Sequence, residues 1–207
     1  MPFRGQTRDG FLRADTTLEK LAALKPAFDR TSGQGTLTAG NSTGLSDGAA
    51  AVLLASEDWA ARRGLPVQAY LVDAEMAAVD FVAGEGLLMA PTVAVARLLR
   101  RRGLALQDFD YYEIHEAFAA QVLCTLRAWE SAEYCRQRLG LDAPLGAIDP
   151  ARLNVHGSSL AVGHPFAATG ARILATLAKL LAQRGGGRGL ISICTAGGMG
   201  VAAIVER

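Results

Sequence analysis

Two residues near the end of the chain have side chains suited to acid and base chemistry. His164 lies between Gly163 and Pro165, and Cys194 begins the run Cys-Thr-Ala-Gly-Gly. An imidazole gives or takes a proton near neutral pH, and a positioned cysteine can also act as a general acid or base. Taken singly, each has an ordinary interpretation, as a hydrogen-bonded loop histidine and as a small buried hydrophobic residue.

Three polar segments interrupt otherwise apolar sequence where a strand ends or a helix begins. They are residues 113–118 (Glu-Ile-His-Glu-Ala-Phe), residues 154–170 around Gly-His-Pro, and residues 192–200 around Cys194. Sites collect at such chain reversals in layered α/β folds. His115 in the first segment also has a plain interpretation, since a histidine before a helix can satisfy backbone groups.

The elements that must position these segments alternate between strand and helix signals, which predicts an α/β fold. Short apolar runs bounded by turn residues indicate the strands, and apolar residues at helical spacing indicate the helices. The predicted strands are residues 67–72, 109–114, 189–194 and 200–205, and the predicted helices are residues 91–102, 116–138 and 172–184. The last two strands flank a glycine-rich turn.

The first third of the chain is rich in turn residues. A capping box at Thr16 and Glu19 predicts a short helix before Pro26. A second short helix is predicted over residues 56–64. The uniformly apolar run 49–55 predicts a buried strand, although its periodicity leaves a helix open.

Composition and charge exclude several classes of function. Lysine plus arginine number 21 against 20 aspartate plus glutamate, so no overall field favours a nucleic acid or an anionic membrane. Arg100 to Arg102 end a predicted helix, where cations suit the helix dipole or contact an anionic ligand. No apolar run approaches the roughly 18 residues that span a bilayer. The first ten residues lack the apolar core of a signal peptide.

The three cysteines form no CxxC pair and no spacing typical of zinc ligands. We therefore expect no metal, no disulfide framework and a cytoplasmic location. Cys124 and Cys135 fall within the predicted helix 116–138, where packing explains them best.

Four ordered motifs, taken together, point to one family. They are residues 35–50, residues 115–119 (His-Glu-Ala-Phe-Ala), residues 154–172 and residues 194–200 (Cys-Thr-Ala-Gly-Gly-Met-Gly). In these motifs the chain resembles the thiolases, which exchange acyl groups between a cysteine and coenzyme A. The resemblance extends over nearly the whole length.

The resemblance implies an α/β fold of the thiolase-like layered type. Residues 65–207 would form the C-terminal domain, a βαβαββ unit with a mixed sheet flanked by helices. Residues 1–64 would be the end of the loop region and the last part of the N-terminal domain.

The resemblance also implies separate catalytic roles. In thiolases the Gly-His-Pro histidine acts on the attacking cysteine and faces the thioester oxygen, which implies both tasks for His164. The cysteine of the C-terminal motif moves the proton at the substrate's α carbon, which implies that task for Cys194. His115, in His-Glu-Ala-Phe where many thiolases have Asn-Glu-Ala-Phe, would position a water in the first oxyanion hole. That form is associated with fatty-acid-degrading members similar to the trifunctional-enzyme β subunit.

Further positions are implied to bind the substrate. The backbone N–H of Ala196 would serve the second oxyanion hole, and Gly197 beside it would let the substrate approach the main chain. Ala39 and Thr43 match residues that line the pantetheine arm of coenzyme A, although serine is common where Thr43 stands. Phe118 is implied to contact the substrate or coenzyme A.

The main departure from the family is the attacking cysteine, because no cysteine precedes Cys124. Either the chain is a fragment, or another polypeptide supplies the N-terminal half with the nucleophile. The leading hypothesis is a degradative 3-ketoacyl-CoA thiolase that is competent only as part of a complete thiolase. Coenzyme A would be a substrate, with no covalently bound cofactor, and the enzyme a dimer or a dimer of dimers.

Two alternatives remain open. The chain could be a noncatalytic thiolase-like module, retained for coenzyme A binding or subunit association. Ketoacyl-synthase-like condensing enzymes share the fold but use His/His or His/Asn sites, so Cys194 in its glycine turn favours a thiolase.

Overall fold

The computed structural model describes residues 4–207. Residues 1–3 of the predicted first unit lie outside the described residues. In chain order the elements are α1 (Leu18–Ala22), α2 (Glu57–Arg62), β1 (Tyr70–Ala78), α3 (Ala90–Arg102), β2 (Tyr111–Ile114), α4 (Ala119–Glu130), α5 (Ala132–Tyr134), a π-helical turn (Cys135–Leu139), a 3₁₀ turn (Pro150–Arg152), α6 (Ser159–Val162), α7 (Thr169–Arg184), β3 (Arg188–Thr195) and β4 (Met199–Glu206).

The four strands form one mixed sheet in the order β1-β4-β3-β2. Strands β2 and β3 are parallel neighbours, whereas β4 is antiparallel to both β3 and β1. Strands β3 and β4 form a hairpin across the predicted glycine-rich turn. The predicted βαβαββ order and the mixed sheet flanked by helices are therefore confirmed.

Helices cover both faces of the sheet. On one face α3 buries Val95, Leu98 and Leu99 against strand residues such as Leu190 and Ile204. On the other face α7 packs through a stripe at helical spacing on the side chains of β3 and β4; the stripe is Ile173, Leu177 and Leu181. The sheet is thus the middle layer of a three-layer unit.

Helices α3 and α7 begin and end close to the residues that the sequence predicts. Pro91 lies in the first turn of α3. Gly103 and Gly185 follow the last residues of the two helices in left-handed conformations, with φ of 62° and 87°. Left-handed geometry suits glycine, so these residues stop the helices.

The first third of the chain departs from the predicted pattern. Residues 49–55 form no strand, and Leu53 and Leu54 are 71% and 66% exposed. The prediction of a buried strand is wrong, because no described strand pairs with this run and no layer covers it. Among residues 4–64, Ala60 alone is buried.

Two short helices in this region match the predictions with one shift. Ser56 caps α2 by accepting a hydrogen bond from the Trp59 backbone N–H, as expected. The cap of α1 is Thr17 rather than Thr16, because the Thr16 hydroxyl donates to the Arg13 carbonyl instead.

The long helix predicted over residues 116–138 is divided. Its first part, α4, ends at Glu130, and Ser131 has extended backbone and accepts a hydrogen bond from the Tyr134 N–H as the cap of α5. A serine favours such a cap over a helix interior, which explains the break. Cys124 is exposed on α4, whereas Cys135 is buried in the π-helical turn.

The edge strand β1 begins and ends later than predicted. It covers Tyr70–Ala78 rather than 67–72, with a register shift between Leu71 and Asp73. Arg101 of α3 pairs with Asp73 and Glu75 on this strand. The predicted arginine cluster therefore contributes a surface ion pair between helix and sheet, in addition to suiting the end of the helix.

Candidate active site

The carboxyl ends of β2 and β3 place the predicted residues at one edge of the sheet. Ile114 of β2 pairs with Ser192 of β3, and the His115 N–H donates to the Ser192 carbonyl at 2.9 Å. Cys194 follows two residues later on β3. Parallel neighbouring strands end at the same edge, where ligand sites of open α/β sheets form. The strand pairing thus brings His115 and Cys194 to one side of the fold.

The third predicted residue, His164, lies in the loop between α6 and α7. The rings of His115 and His164 lie 4.4 Å apart, centroid to centroid, at an angle of 47°. Phe166 contacts the His164 ring edge-on at 5.0 Å. The backbone N–H of His164 donates to the Gly44 carbonyl at 2.8 Å, which fixes the loop against the N-terminal segment.

Asn154 connects the end of β2 to the loop that carries His164. Its side-chain oxygen accepts from the Ile114 N–H at 2.9 Å, and its amide group donates to the Ile114 carbonyl at 2.9 Å and to Glu116 at 2.8 Å. Glu116 also accepts from the Leu160 N–H at 3.1 Å. These bonds hold the turn around His115 against the second motif.

Residues 41–46 contact both the segment that follows His115 and the segment that precedes His164. The Thr43 N–H donates to the Ala117 carbonyl at 3.0 Å, and the Thr43 hydroxyl donates to the Ser159 carbonyl at 2.9 Å. The hydroxyl of Thr43 is therefore used inside the protein. Ala39 is exposed in a turn four residues earlier. Phe118 is partly buried before α4 and contacts Phe28 edge-on at 5.7 Å.

His164 is arranged as a base. Its Nδ1 lies 2.6 Å from the Thr169 hydroxyl oxygen, and that hydroxyl donates to the Pro165 carbonyl at 3.2 Å. With its proton directed to Pro165, the Thr169 oxygen accepts from Nδ1–H, so Nε2 of His164 has a free lone pair. Burial and the nearby Arg172 charge lower the pKa of His164, which keeps the ring neutral at pH 7.

His115 is deeply buried and neutral. Burial, followed by the charges of His164 and Arg172, lowers the pKa of His115 to about 4. Its Nδ1 lies 3.0 Å from the hydroxyl oxygen of Ser159. A neutral imidazole can donate one hydrogen bond without adding charge to the site.

Cys194 keeps its proton at neutral pH. Burial raises the pKa of Cys194 to about 11, against backbone hydrogen bonds at Cys194 and Ala117 that lower it. Such a thiol is a poor nucleophile, because the thiolate is the reactive form. It can act as an acid toward a stronger base such as a carbanion at the site, and the thiolate that remains can take a proton back.

The hairpin turn beside Cys194 exposes main chain. Ala196 and Gly197 are exposed at its tip, and Gly197 and Gly198 have φ of 86° and 74°. A Cβ on Gly198 would lie 2.6 Å from the Val79 carbonyl oxygen. The turn is therefore restricted to glycine there by both conformation and packing.

Several positioning residues were not predicted as site residues. Thr169 and Ser159 bond the two histidines, Arg172 of α7 reaches Ser159, and Glu113 lies buried on β2 with burial raising its pKa to about 7. The one sequence signal was a charged residue, Glu113, inside a predicted strand. Among the described residues no group of three or more potential metal ligands occurs. No helix of residues 4–207 is long and apolar enough to cross a membrane.

Comparison with known proteins agrees with this geometry. The family model described as "Thiolase, C-terminal domain" matches residues 65–207, and "Thiolase, N-terminal domain" matches residues 4–58. A 3-ketoacyl-CoA thiolase of Serratia proteamaculans is 46% identical over 206 residues, which are 99% of this chain and 46% of that protein. This chain thus spans about half the length of the curated relatives that it matches.

Solved structures give the same result. The human mitochondrial 3-ketoacyl-CoA thiolase in complex with CoA superimposes with a TM-score of 0.80 at 36% identity, covering 98% of this chain and 46% of that one. The dimeric peroxisomal thiolase of Saccharomyces cerevisiae gives a TM-score of 0.74 at 37% identity, covering 94% of this chain and 44% of that one. By family models, sequence identity and fold, the chain belongs to the thiolase family.

Proposed function

We propose that this chain provides the C-terminal part of the active site of an acyl-CoA C-acyltransferase, which cleaves 3-ketoacyl-CoA with coenzyme A or condenses acyl-CoA units. The observation that carries the proposal is the contact between a histidine arranged as a base, His164, and a buried neutral histidine, His115. The protonated thiol of Cys194 ends the neighbouring strand. Acyl exchange through a thioester needs a base, an oxyanion donor and a second proton carrier.

In this proposal His164 both activates the attacking cysteine and faces the thioester oxygen, whereas each other group has one task. His164 takes the proton of an attacking cysteine through Nε2, and the resulting thiolate attacks the 3-keto carbon. As the bond between the α and β carbons breaks, Cys194 gives its proton to the α carbon of the leaving acetyl-CoA. The Cys194 thiolate then takes the thiol proton of the incoming coenzyme A, whose sulfur takes the acyl group from the enzyme cysteine, and His164 returns its proton to that cysteine. Donors at His115, Ala196 and Gly197 stabilise the oxyanions.

The attacking cysteine lies outside these 207 residues in this proposal. Cys135 is fully buried, and exposed Cys124 on α4 makes no hydrogen bond with His164 among the described contacts, so we assign the attack to neither. The accessible surface is 12502 Å², against about 9,200 Å² expected for a monomer of 21.7 kDa. The excess supports a large interface with an N-terminal thiolase half, on the same polypeptide or on another.

The proposed division of the chain follows the same reasoning. Residues 65–207 are the C-terminal domain, which has its own sheet and core. Residues 1–64 are the end of the loop region and the last part of the N-terminal domain, and their exposed apolar side chains support the need for a covering partner.

Substrate contacts are proposed on the exposed side of the site. Ala39 and the outer edge of Phe118 would contact coenzyme A, whereas Thr43 would contact it through its methyl group, since its hydroxyl bonds to Ser159. A role in fatty-acid degradation is proposed from the relatives named 3-ketoacyl-CoA thiolase, and a dimer from the dimeric yeast neighbour. A cytoplasmic location stays a prediction.

The test uses the chain combined with an N-terminal thiolase half. Cys194→Ala is expected to lower 3-ketoacyl-CoA cleavage by roughly 10²- to 10⁴-fold, the usual contribution of a proton-transfer group. Acylation of the attacking cysteine by a simple acyl-CoA should persist and be detectable by intact mass. Cys124→Ala is the matched control and should retain full activity. Unchanged turnover in Cys194→Ala would remove Cys194 from the mechanism.

A further inference from the structure

A hydrogen-bonded chain of three side chains ends at the His115 ring. Arg172, near the start of α7, donates from Nη2 to the Ser159 hydroxyl oxygen at 2.9 Å and more weakly to that of Ser158 at 3.4 Å. Ser159 in turn lies 3.0 Å from Nδ1 of His115. Ser159 and His115 are 0% and 2% exposed, so water does not compete for these bonds.

Counting hydrogens along this chain determines its direction. A guanidinium group only donates, so the Ser159 oxygen must use a lone pair to accept from Arg172. Among the described residues the Ser159 hydroxyl has no other acceptor within hydrogen-bond distance, so its hydrogen is donated to Nδ1 of His115. Burial holds the pKa of His115 near 4, so the ring has one proton at neutral pH. That proton must be on Nε2.

We propose that Arg172, acting through Ser159, fixes His115 in the tautomer that has its proton on Nε2, and so makes His115 a permanent neutral hydrogen-bond donor. Arg172 and Ser159 are positioning residues in this scheme. The catalytic meaning rests on the function proposed above, in which His115 serves an oxyanion hole, whereas the tautomer itself rests on the hydrogen-bond geometry of a buried neutral ring.

The same counting gives His164 the opposite tautomer. Thr169 accepts from Nδ1–H of His164, so Nε2 of that ring is a base. The two rings lie 4.4 Å apart, and two different hydroxyl groups fix their tautomers. His115 is a hydrogen-bond donor at Nε2, whereas His164 is an acceptor at Nε2. If His115 had the tautomer of His164, it would present a lone pair to a developing oxyanion, which would be repulsive.

Arg172 also explains how the site avoids an extra proton. Burial lowers the pKa of both His115 and His164, and the Arg172 charge lowers it further; Arg172 itself lies near the buried Glu113 and the partly buried Glu116 carboxyl groups. A lysine would bring the charge but not the rigid planar group that holds Nη2 in a fixed direction toward Ser158 and Ser159. Arginine therefore suits both tasks, orientation of the hydroxyl and electrostatic exclusion of a second proton.

The test is ¹⁵N NMR of the histidine side chains in the 207-residue chain. The protein has three histidines, and the exposed His156 serves as an internal reference. At pH 7 we expect His115 to be protonated only on Nε2 and His164 only on Nδ1. Finding the His115 proton on Nδ1 in the unmodified chain would overturn the proposal, and no variant is needed for that result.

Two variants test each hydroxyl group separately. In Ser159→Ala, the His115 Nδ1 resonance should move downfield as its lone pair loses a donor, and a share of the Nδ1–H tautomer should appear. His164 and His156 should not change, which also reports that the fold persists. Thr169→Val is the matched control and should affect His164 alone. A His115 spectrum unchanged by Ser159→Ala would contradict the proposal.

Kinetics separate this inference from the proposed function. In the chain combined with an N-terminal half, Ser159→Ala should lower kcat by up to roughly 100-fold, the scale of one oxyanion-hole donor, with little change in KM. The tautomers are measured without activity, so the NMR result stands whether or not the combined protein cleaves 3-ketoacyl-CoA. If Ser159→Ala instead raised KM by a similar factor and left kcat unchanged, Ser159 would have no part in orienting the donor.

Discussion

The Cys194 thiol should titrate with a pKa near 11 in the folded chain. Burial is the main cause, and it raises the pKa from the ordinary 9.0 of a cysteine thiol to about 11. This rise corresponds to a roughly 100-fold smaller thiolate fraction at any pH below 9, or about 3 kcal/mol of preference for the neutral thiol. This preference is what allows Cys194 to hold a proton for the α carbon rather than attack the substrate.

Alkylation with iodoacetamide between pH 6 and 11.5 measures this titration. Tryptic peptides 103–127, 128–136 and 189–207 contain one cysteine each, so mass spectrometry follows the three thiols separately. The rate at Cys194 should still rise above pH 10 in the folded chain, with a midpoint near pH 11, whereas its midpoint in urea should lie near pH 9. Limited access lowers the folded rate by a constant factor, so the midpoint of the profile reports the pKa alone.

Two controls accompany the measurement. Exposed Cys124 reports that the reagent works at each pH, and circular dichroism reports that the chain stays folded. Coincident midpoints for Cys194 in folded and unfolded chains, or a lower one in the folded chain, would refute the reasoning. Cys194 would then be an activated nucleophile instead of a proton carrier.

Three further predictions concern stability and are measured by urea unfolding of the chain. Because burial raises the pKa of Glu113 from 4.5 to about 7, its contribution to the free energy of unfolding is fully present below pH 4.5 and is lost as pH rises through 7, by up to about 3 kcal/mol. Glu113→Gln should flatten this pH dependence of stability. An unchanged slope in that variant would contradict the prediction. Asn154→Ala removes three hydrogen bonds, two buried and one partly buried, and should cost about 2–4 kcal/mol, so a loss below 1 kcal/mol would refute the role of Asn154 at the end of β2. Ala167 has φ of 65°, so Ala167→Gly should stabilise by about 1 kcal/mol, and destabilisation would show that this conformation is not strained.

Local sequence signals predicted the C-terminal fold well because the elements there agree with their surroundings. Helix α7 has an apolar stripe, a glycine stop and a sheet to cover, so periodicity and packing favour the same structure. The β3–β4 hairpin likewise follows from two apolar runs around glycines. The resemblance to thiolases, based on four motifs, is confirmed by the comparisons.

Predictions failed where structure depends on what covers a segment. Residues 49–55 are apolar enough for a buried strand, but nothing in residues 4–207 pairs with them. The predicted helix 116–138 is interrupted at Ser131, because the serine side chain caps α5 although the apolar residues continue at helical spacing. Periodicity gives no information about either event.

The positioning residues of the site were missed for a related reason. Ser159 contacts His115 across 44 residues of sequence, and Arg172 becomes informative only once α7 lies beside β2. Hydroxyl groups that determine a histidine tautomer have no local signature. Their roles follow from distances and hydrogen counting in the folded chain.

We propose that this chain holds the C-terminal part of a thiolase site, and that the attacking cysteine comes from outside these 207 residues. The most direct measurement is coenzyme-A-dependent cleavage of a 3-ketoacyl-CoA by the chain alone and by the chain mixed with the N-terminal half of the Serratia proteamaculans relative. We predict no cleavage alone and cleavage in the mixture that disappears with His164→Ala. Robust cleavage by the chain alone would contradict the claim, and coenzyme A binding without rescue would identify a noncatalytic module instead.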